Sequence, residues 1–313
     1  MKDSAKRALK GADFLSLKTF EPAAIELILS EAERIKSEGF KHVRPLANRS
    51  IGLLFEKPST RTRASFEVAV VKLGGHPMYL SGSELQVKRG ETLGDTGKVL
   101  SRYIDGLVVR TFGQDRLEEI AAAAEVPVIN ALTDECHPCQ ALADMLTISE
   151  YKGGLEGVRL AYVGDGNNVC HSLMRAGTKL GMAVAVATPP GREPLDRIVD
   201  ECKAYCEAYD STLSIGTDAL KATADADVIY TDVWVSMGDV DTPATIDEFV
   251  PYRVDSALVE NAADDAIVMH CLPAHRGEEI TDEVLDGSRS VVWDQAENRL
   301  YAQAALLALI YGE

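Results

Sequence analysis

The stretch Ser50-Ile51-Gly52-Leu53-Leu54-Phe55 runs straight into Glu56-Lys57-Pro58-Ser59-Thr60-Arg61-Thr62-Arg63. Its apolar first half reads as a strand buried on both faces, the kind found in parallel sheets covered by helices. Pro58 breaks the strand, and Ser59 and Thr60 are good N-cap residues for a helix predicted over 62–73. A helix start presents unpaired N–H groups and the positive end of the helix dipole, which suits a phosphate dianion. The hydroxyls of Ser59, Thr60 and Thr62 add donors, and Arg61 adds a planar fork for bidentate contact. Taken alone, the stretch also reads as a plain capped helix with exposed arginines. It is not a Walker loop, because the Gly-rich turn and the Gly-Lys-Thr ending are missing.

The same alternation extends in both directions. Strands are predicted at 50–55, 77–80, 106–110, 126–131, 159–163, 183–187, 212–215, 228–231, 266–270 and 290–293. Helical patterns lie at 22–38, 62–73, 93–103, 116–124, 140–151, 169–180, 195–208 and 296–311. Strands rich in Val, Ile and Leu that alternate with helices predict an α/β fold with parallel sheets flanked by helices. The pattern restarts after Gly153-Gly154, so two such domains are expected, 1–139 and 140–295, bridged by helices. The apolar helix over 296–313 is expected to pack back on the first.

A chain of 313 residues is long for one core and comfortable for two. Its 46% hydrophobic and 26% charged content is that of a globular protein. A net charge of −17 argues against a nucleic-acid partner, since binding phosphate backbones needs clustered Lys and Arg. Met1 to Lys10 is charged and lacks the apolar core of an export signal. No uninterrupted apolar run reaches about 18 residues, so no membrane partner is expected. The six Cys lack disulfide-framework spacing, and reduced thiols in the cytoplasm are the expectation.

In parallel α/β sheets ligands collect beyond the carboxyl ends of strands, and chemistry-bearing residues recur there. Arg110 ends the strand 106–110, and His137-Pro138-Cys139-Gln140 follows the strand 126–131 at a helix start. A cation, an imidazole and an amide on one edge would polarise a carbonyl oxygen and stabilise an oxyanion. Asp232, after strand 228–231, would pair with a substrate ammonium, and Ser236-Met237-Gly238 beyond it would bind a carboxylate or amino group. His270-Cys271-Leu272-Pro273 closes strand 266–270, and Arg299 is placed near the start of the last helix. Cys271 reads either as a nucleophile beside His270 or as a soft sulfur lining a pocket for an amine.

Two further patterns are weaker. Cys136-His137-Pro138-Cys139 has C-x-x-C spacing, but a zinc site would need a second ligand pair that only His270 and Cys271 could supply. No metal is expected. Gly164-Asp165-Gly166-Asn167-Asn168-Val169 approaches G-x-G-x-x-G, yet Val169 replaces the third Gly and no acid follows the next strand. Dinucleotide binding fails on both counts, and no cofactor is expected. Asn168 remains a polar group at a strand-to-helix corner.

Together these motifs resemble the ornithine carbamoyltransferases. The match also takes in Gln86 with Arg89-Gly90-Glu91-Thr92, Arg110-Thr111, Asp165-Gly166-Asn167-Asn168 and Asp232-Val233-Trp234. Ser59-Thr60-Arg61-Thr62-Arg63, Arg110-Thr111 and His137-Pro138-Cys139-Gln140 are shared with aspartate carbamoyltransferases. Ser236-Met237-Gly238 and His270-Cys271-Leu272-Pro273 look like the ornithine-specific signatures. The resemblance implies that Ser59, Thr60, Arg61 and Thr62 hold the phosphate of carbamoyl phosphate, and that Arg110, His137 and Gln140 hold its carbamoyl group. Gln86 would arrive from a neighbouring subunit of a homotrimer or a multiple of trimers. Asn168, Asp232, Ser236 and Met237 would bind L-ornithine, with Cys271, Leu272 and Arg299 closing around the reacting end. Arg61, Arg110, His137 and Cys271 would form the catalytic set, with neither metal nor organic cofactor.

The reaction so implied is acyl transfer without a covalent enzyme intermediate: the neutral δ-amine attacks, a tetrahedral oxyanion forms and phosphate leaves. The rival readings are a carbamoyltransferase for another amine (putrescine, aspartate or acetylornithine) and a silent relative that only binds.

Overall fold

In the computed structural model, the described residues are 2–82, 90–235 and 243–312. Short runs of Val, Ile, Leu and Ala form two all-parallel sheets. The first is four-stranded: β1 (Ser50–Phe55), β2 (His76–Ser81), β3 (Gly106–Arg110) and β4 (Val128–Leu132), in the order β2-β1-β3-β4. The second is five-stranded: β5 (Arg159–Val163), β6 (Ala183–Ala187), β7 (Thr212–Gly216), β8 (Val228–Thr231) and β9 (Ile267–His270), in the order β7-β6-β5-β8-β9. Strand order reverses between β1 and β3 in one sheet and between β5 and β8 in the other. These are the two switch points at which such sheets hold ligands.

The chain divides into two units, 1–146 with 298–313, and 147–297. Both divisions fall inside helices, Pro138–Lys152 and Val292–Tyr311. The end of the second helix belongs to the first unit because its apolar residues are spent there. Ala302, Ala304, Ala305, Leu306 and Leu307 are fully buried, and Tyr311 donates its hydroxyl hydrogen to the Asp105 carbonyl. In the first unit Leu54, Leu107, Val109, Leu117, Ile120 and Val128 make a shared apolar layer. In the second, Ala161, Val163, Ile229, Val268, Ile280 and Val284 do the same. Among the described residues no helix is long and apolar enough to cross a membrane.

Several expected boundaries shift for identifiable reasons. Residues 290–293 do not form a strand: Ser290 makes one isolated bridge to Val268, and from Val292 the chain is already helical. That helix therefore begins four residues before the expected Ala296, which puts Arg299 two turns inside it rather than near its start. Ser59 alone is the N-cap, with extended φ −162°, and Thr60 opens the helix Thr60–Lys72. Pro138 begins its helix two residues early, since a missing N–H costs nothing at the first helical position. Pro77 is tolerated inside β2 because that strand lies at the sheet edge.

Candidate active site

At the first switch point, β1 delivers Ser59 and β3 delivers Arg110. The two strand ends are tied together, Glu56 N–H donating to the Arg110 carbonyl at 2.8 Å. The Glu56 carboxylate accepts from the Thr111 hydroxyl and from Arg116 Nη2 at 2.7 Å, and Lys57 pairs with Asp134. This turn is thus braced from beneath while Ser59, Thr60 and Arg61 stay at least partly open. Ser59 Oγ accepts from Thr62 N–H at 3.3 Å, so the cap satisfies one orphan donor and leaves the first-turn N–H groups of Thr60 and Arg61 for a ligand.

Behind the cap lies a buried polar network. Arg299, 3% exposed, donates from Nη2 to Thr62 Oγ1 at 2.7 Å and from Nη1 to Gln140 Oε1 at 2.6 Å. Its Nη1 also stands 3.5 Å from His137 Nε2. Gln140 Nε2 donates in turn to the fully buried Asp144 at 2.9 Å. The network links three helices that meet at this edge, and Arg110, 4% exposed, adds a second buried guanidinium. Burial, then the charges of Arg299 and Arg110, hold the His137 imidazole well below its ordinary range. His137 is therefore neutral near pH 7, able to donate one hydrogen bond without adding a third charge.

That depression makes a stability prediction. A histidine that resists protonation only when folded lets the unfolded chain bind more protons below its ordinary pKa of about 6.5, so stability should fall as pH drops below that value and be flat above it. Denaturant titrations between about pH 7.5 and about pH 5 check this against His137→Gln, which should show a shallower slope. Equal slopes in the two proteins would contradict the assignment.

At the second switch point, β5 leads into Gly164-Asp165-Gly166-Asn167 and β8 into Asp232. Asn167 caps the helix Asn168–Lys179, its Oδ1 accepting from Val169 N–H at 2.9 Å and Cys170 N–H at 3.1 Å. Its Nδ2 donates to Asp232 Oδ2 at 2.9 Å, and Cys271 Sγ donates to Asp232 Oδ1 at 2.9 Å. Asp232, 5% exposed, so has both oxygens engaged and gathers β5, β8 and β9 around one negative charge. Asn168 is the first residue of its helix and half-buried, as are Cys271 and Leu272, the latter at φ +58°. Gly166 is glycine for a packing reason. A Cβ there would lie 2.4–2.5 Å from the backbone of residues 192–194.

The His270 ring bears on the choice left open for Cys271. Its Nδ1 accepts from Leu272 N–H at 2.9 Å and its Nε2 lies 3.0 Å from Glu279 Oε1, so neither nitrogen is offered to the thiol as a base. The same contacts bear on metal binding. Ligand atoms of Asp232, His270 and Cys271 gather within 4.8 Å, but a cation there would have to break the Leu272 and Asp232 bonds. Cys136 and Cys139 are buried, and Sγ of Cys139 donates to the Asn130 carbonyl at 3.3 Å, with burial pushing its thiol up to about 12. Gln86, Ser236 and Met237 lie outside the described residues.

The sequence reading missed Asn167 and Glu279. An Asn just before a helical pattern is a visible N-cap signal, whereas Glu279 resembles an ordinary surface acid beside Glu278.

The chain matches two family models: aspartate/ornithine carbamoyltransferase, carbamoyl-P binding domain, over residues 12–150, and the Asp/Orn binding domain of the same family over 156–310. It is 50% identical over 310 residues to an ornithine carbamoyltransferase of Anoxybacillus flavithermus, covering 98% of this chain and 99% of that protein. It is also 50% identical over 309 residues to a protein of Pyrococcus furiosus named as the anabolic ornithine carbamoyltransferase, covering 97% and 98%. The solved ornithine carbamoyltransferase from Pyrococcus furiosus is 50% identical and superposes with a TM-score of 0.94 over 97% of this chain and 98% of that one. With both of its units matched in order and nearly its whole length covered, this chain belongs to the aspartate/ornithine carbamoyltransferase family.

Proposed function

We infer that this chain transfers the carbamoyl group of carbamoyl phosphate to the δ-amine of L-ornithine, giving L-citrulline and phosphate. The observation that carries the reading is the opposite charge at the two switch points. One holds Arg61 in the first turn of a helix, with Arg299 on Thr62 of the same turn and Arg110 and Arg299 beside His137; the other gathers Asn167, Cys271 and the buried carboxylate of Asp232. The first suits a dianionic acyl phosphate, the second an amino acid ammonium. Ornithine carbamoyltransferase is also the name its similar full-length relatives carry.

In this reading Ser59, Thr60, Arg61 and Thr62 take the phosphate, and Arg110, His137 and Gln140 take the carbamoyl group. Asn168, Asp232, Ser236 and Met237 hold ornithine, with Cys271 and Leu272 beside its δ-amine. An alkyl ammonium has a pKa of about 10.4 in water, so the site must select the neutral amine, which a desolvated pocket favours. The amine nitrogen bonds to the carbonyl carbon and the carbonyl electrons move onto oxygen. Arg110 and neutral His137 donate to that oxyanion. The C–O bond to phosphate then breaks, and the leaving phosphate accepts the amine's proton. Because phosphate takes that proton no dedicated protein base is needed, and positioning of the two reactants supplies roughly 7–11 kcal/mol of such a barrier.

Arg299 takes a role of support in this scheme. Its two short bonds go to Thr62 and Gln140, so it fixes the carbamoyl phosphate residues. The anabolic direction, serving arginine biosynthesis in the cytoplasm, belongs to the same proposal and follows the name of the Pyrococcus furiosus relative. So does a homotrimer or multiple of trimers with Gln86 reaching a neighbour. Exposed Val68 and Val71 on the helix Thr60–Lys72, and Met78 on edge strand β2, support a contact face in the first unit.

An acceptor panel of ornithine, putrescine, aspartate and acetylornithine tests the substrate. The expectation is fastest ureido product from ornithine, and faster turnover of any other amine would overturn it.

A further inference from the structure

We propose that Glu279 is a positioning residue for the amine-binding loop, acting through His270. The inference rests on the reading of Cys271 and Leu272 as ornithine-site residues.

The loop from Cys271 to Ala274 leaves β9 and carries both residues, yet no regular element continues through it. Its conformation must be imposed from outside. At its start, a backbone N–H can only donate, so the Leu272 N–H bond at 2.9 Å makes His270 Nδ1 the acceptor and puts the ring proton on Nε2. That Nε2–H faces Glu279 Oε1 at 3.0 Å. The same Oε1 accepts from His275 N–H at 2.6 Å, just beyond the loop. One carboxylate oxygen thus pins both ends, and both side chains of the His270–Glu279 pair are fully buried. On the opposite side Gln295 Oε1 accepts from the His270 backbone N–H at 2.9 Å, so the end of β9 from which the ring springs is held as well.

The consequence falls on Leu272 and Cys271. Leu272 sits at φ +58°, a backbone position that a bulky residue holds only when its surroundings compel it. The Leu272 N–H bond to Nδ1 supplies that compulsion, and it exists only while the ring presents Nδ1 as an acceptor. Removing the acceptor opposite Nε2 frees the ring to exchange tautomers and turn. Leu272 then loses its anchor, and Cys271 loses its fixed place 2.9 Å from Asp232. Glu279 touches neither substrate in this account.

A Gln at 279 keeps an oxygen for both donors. It places its NH₂ where Oε2 lies, and that atom is buried without a hydrogen-bond partner among the described residues. Gln should therefore rescue what Ala loses, although at some cost in stability.

Steady-state kinetics on the full chain test this with carbamoyl phosphate and ornithine varied in turn. Glu279→Ala is expected to raise KM for ornithine about tenfold or more, the effect of losing a buried hydrogen bond. KM for carbamoyl phosphate should move less than about twofold, because its proposed residues belong to the first unit and the loop to the second. Glu279→Gln should stay within about threefold of the parent for ornithine. Alkylation of Cys271 by iodoacetamide, followed by mass spectrometry, should quicken in the Ala variant and not in the Gln variant.

Should the Ala variant fail to fold, His270→Gln carries the same expectation. Its side-chain NH₂ replaces Nε2–H toward Glu279 but leaves Leu272 N–H without the acceptor that Nδ1 supplies. An unchanged KM for ornithine, or an equal rise in both KM values, would overturn the proposal. If the parent enzyme itself makes no citrulline, the functional reading has failed instead.

Discussion

An Arg299→Ala enzyme is expected to lose roughly a thousandfold in kcat/KM for carbamoyl phosphate, with KM for ornithine little changed. Arg299 is 3% exposed, and its two shortest bonds run to Thr62 at 2.7 Å and Gln140 at 2.6 Å. Hydrogen bonds to a charged group contribute about 1.5–3 kcal/mol each, so losing both falls between about a hundredfold and ten-thousandfold. Lys should not restore the activity, because a single ammonium does not reproduce a planar fork that reaches two acceptors on different helices. Removing a positive neighbour also raises the His137 pKa toward its usual range, so the acid limb of the rate profile should move to higher pH. Initial-rate kinetics with each substrate varied, together with a pH profile, check both parts. A loss below about tenfold, or an unmoved acid limb, would contradict the support role.

The second large effect is expected at Asp232. Asp232→Asn should cut kcat/KM for ornithine by about a hundredfold or more and leave KM for carbamoyl phosphate nearly unchanged, since truncating one partner of a buried charge pair costs about 2–5 kcal/mol. Asn retains one acceptor but turns an NH₂ toward either Cys271 or Asn167, both of which donate to Asp232 in the parent. The negative charge proposed to receive the substrate ammonium is gone in either orientation. Equal damage to both substrates would point to a general collapse of the second unit and not to a binding role.

Much of the fold was legible because its signals are local. A run such as Ile51 to Phe55, stopped by Pro58 and followed by a cap at Ser59, states a strand, a turn and a helix within a dozen residues. The same logic placed Arg110 and Asp232 at the carboxyl ends of strands, since Arg110 ends one apolar strand and Asp232 directly follows another. The 290–293 segment misled because Val291-Val292-Trp293 carries β-forming residues, while its fate was decided by the long helix that follows.

The site was legible where residues follow strands and illegible where contacts are distant. Arg299 meets Gln140 and Thr62 across 159 and 237 residues of chain. No window of sequence contains that encounter, so all three residues were noticed and their pairing was not. Glu279 is nine residues from His270, yet its burial depends on how the loop between them folds back. The C-x-x-C and G-x-G patterns shared the opposite weakness. Each spacing suggested a ligand, while the contacts at hand are within the protein: the Asn130 carbonyl for the Cys139 thiol, and the backbone of residues 192–194 close against Gly166.

The central claim is that this chain joins a carbamoyl group to the δ-amine of ornithine and releases phosphate. Its most direct test is to incubate the purified protein with ¹³C-carbamoyl phosphate and L-ornithine, following the ¹³C carbonyl signal by NMR and phosphate by titration. The account predicts a ureido carbonyl signal of citrulline that grows in step with phosphate, one for one, and vanishes when ornithine is omitted. Phosphate released without citrulline, or binding of both substrates with no product at all, would contradict it.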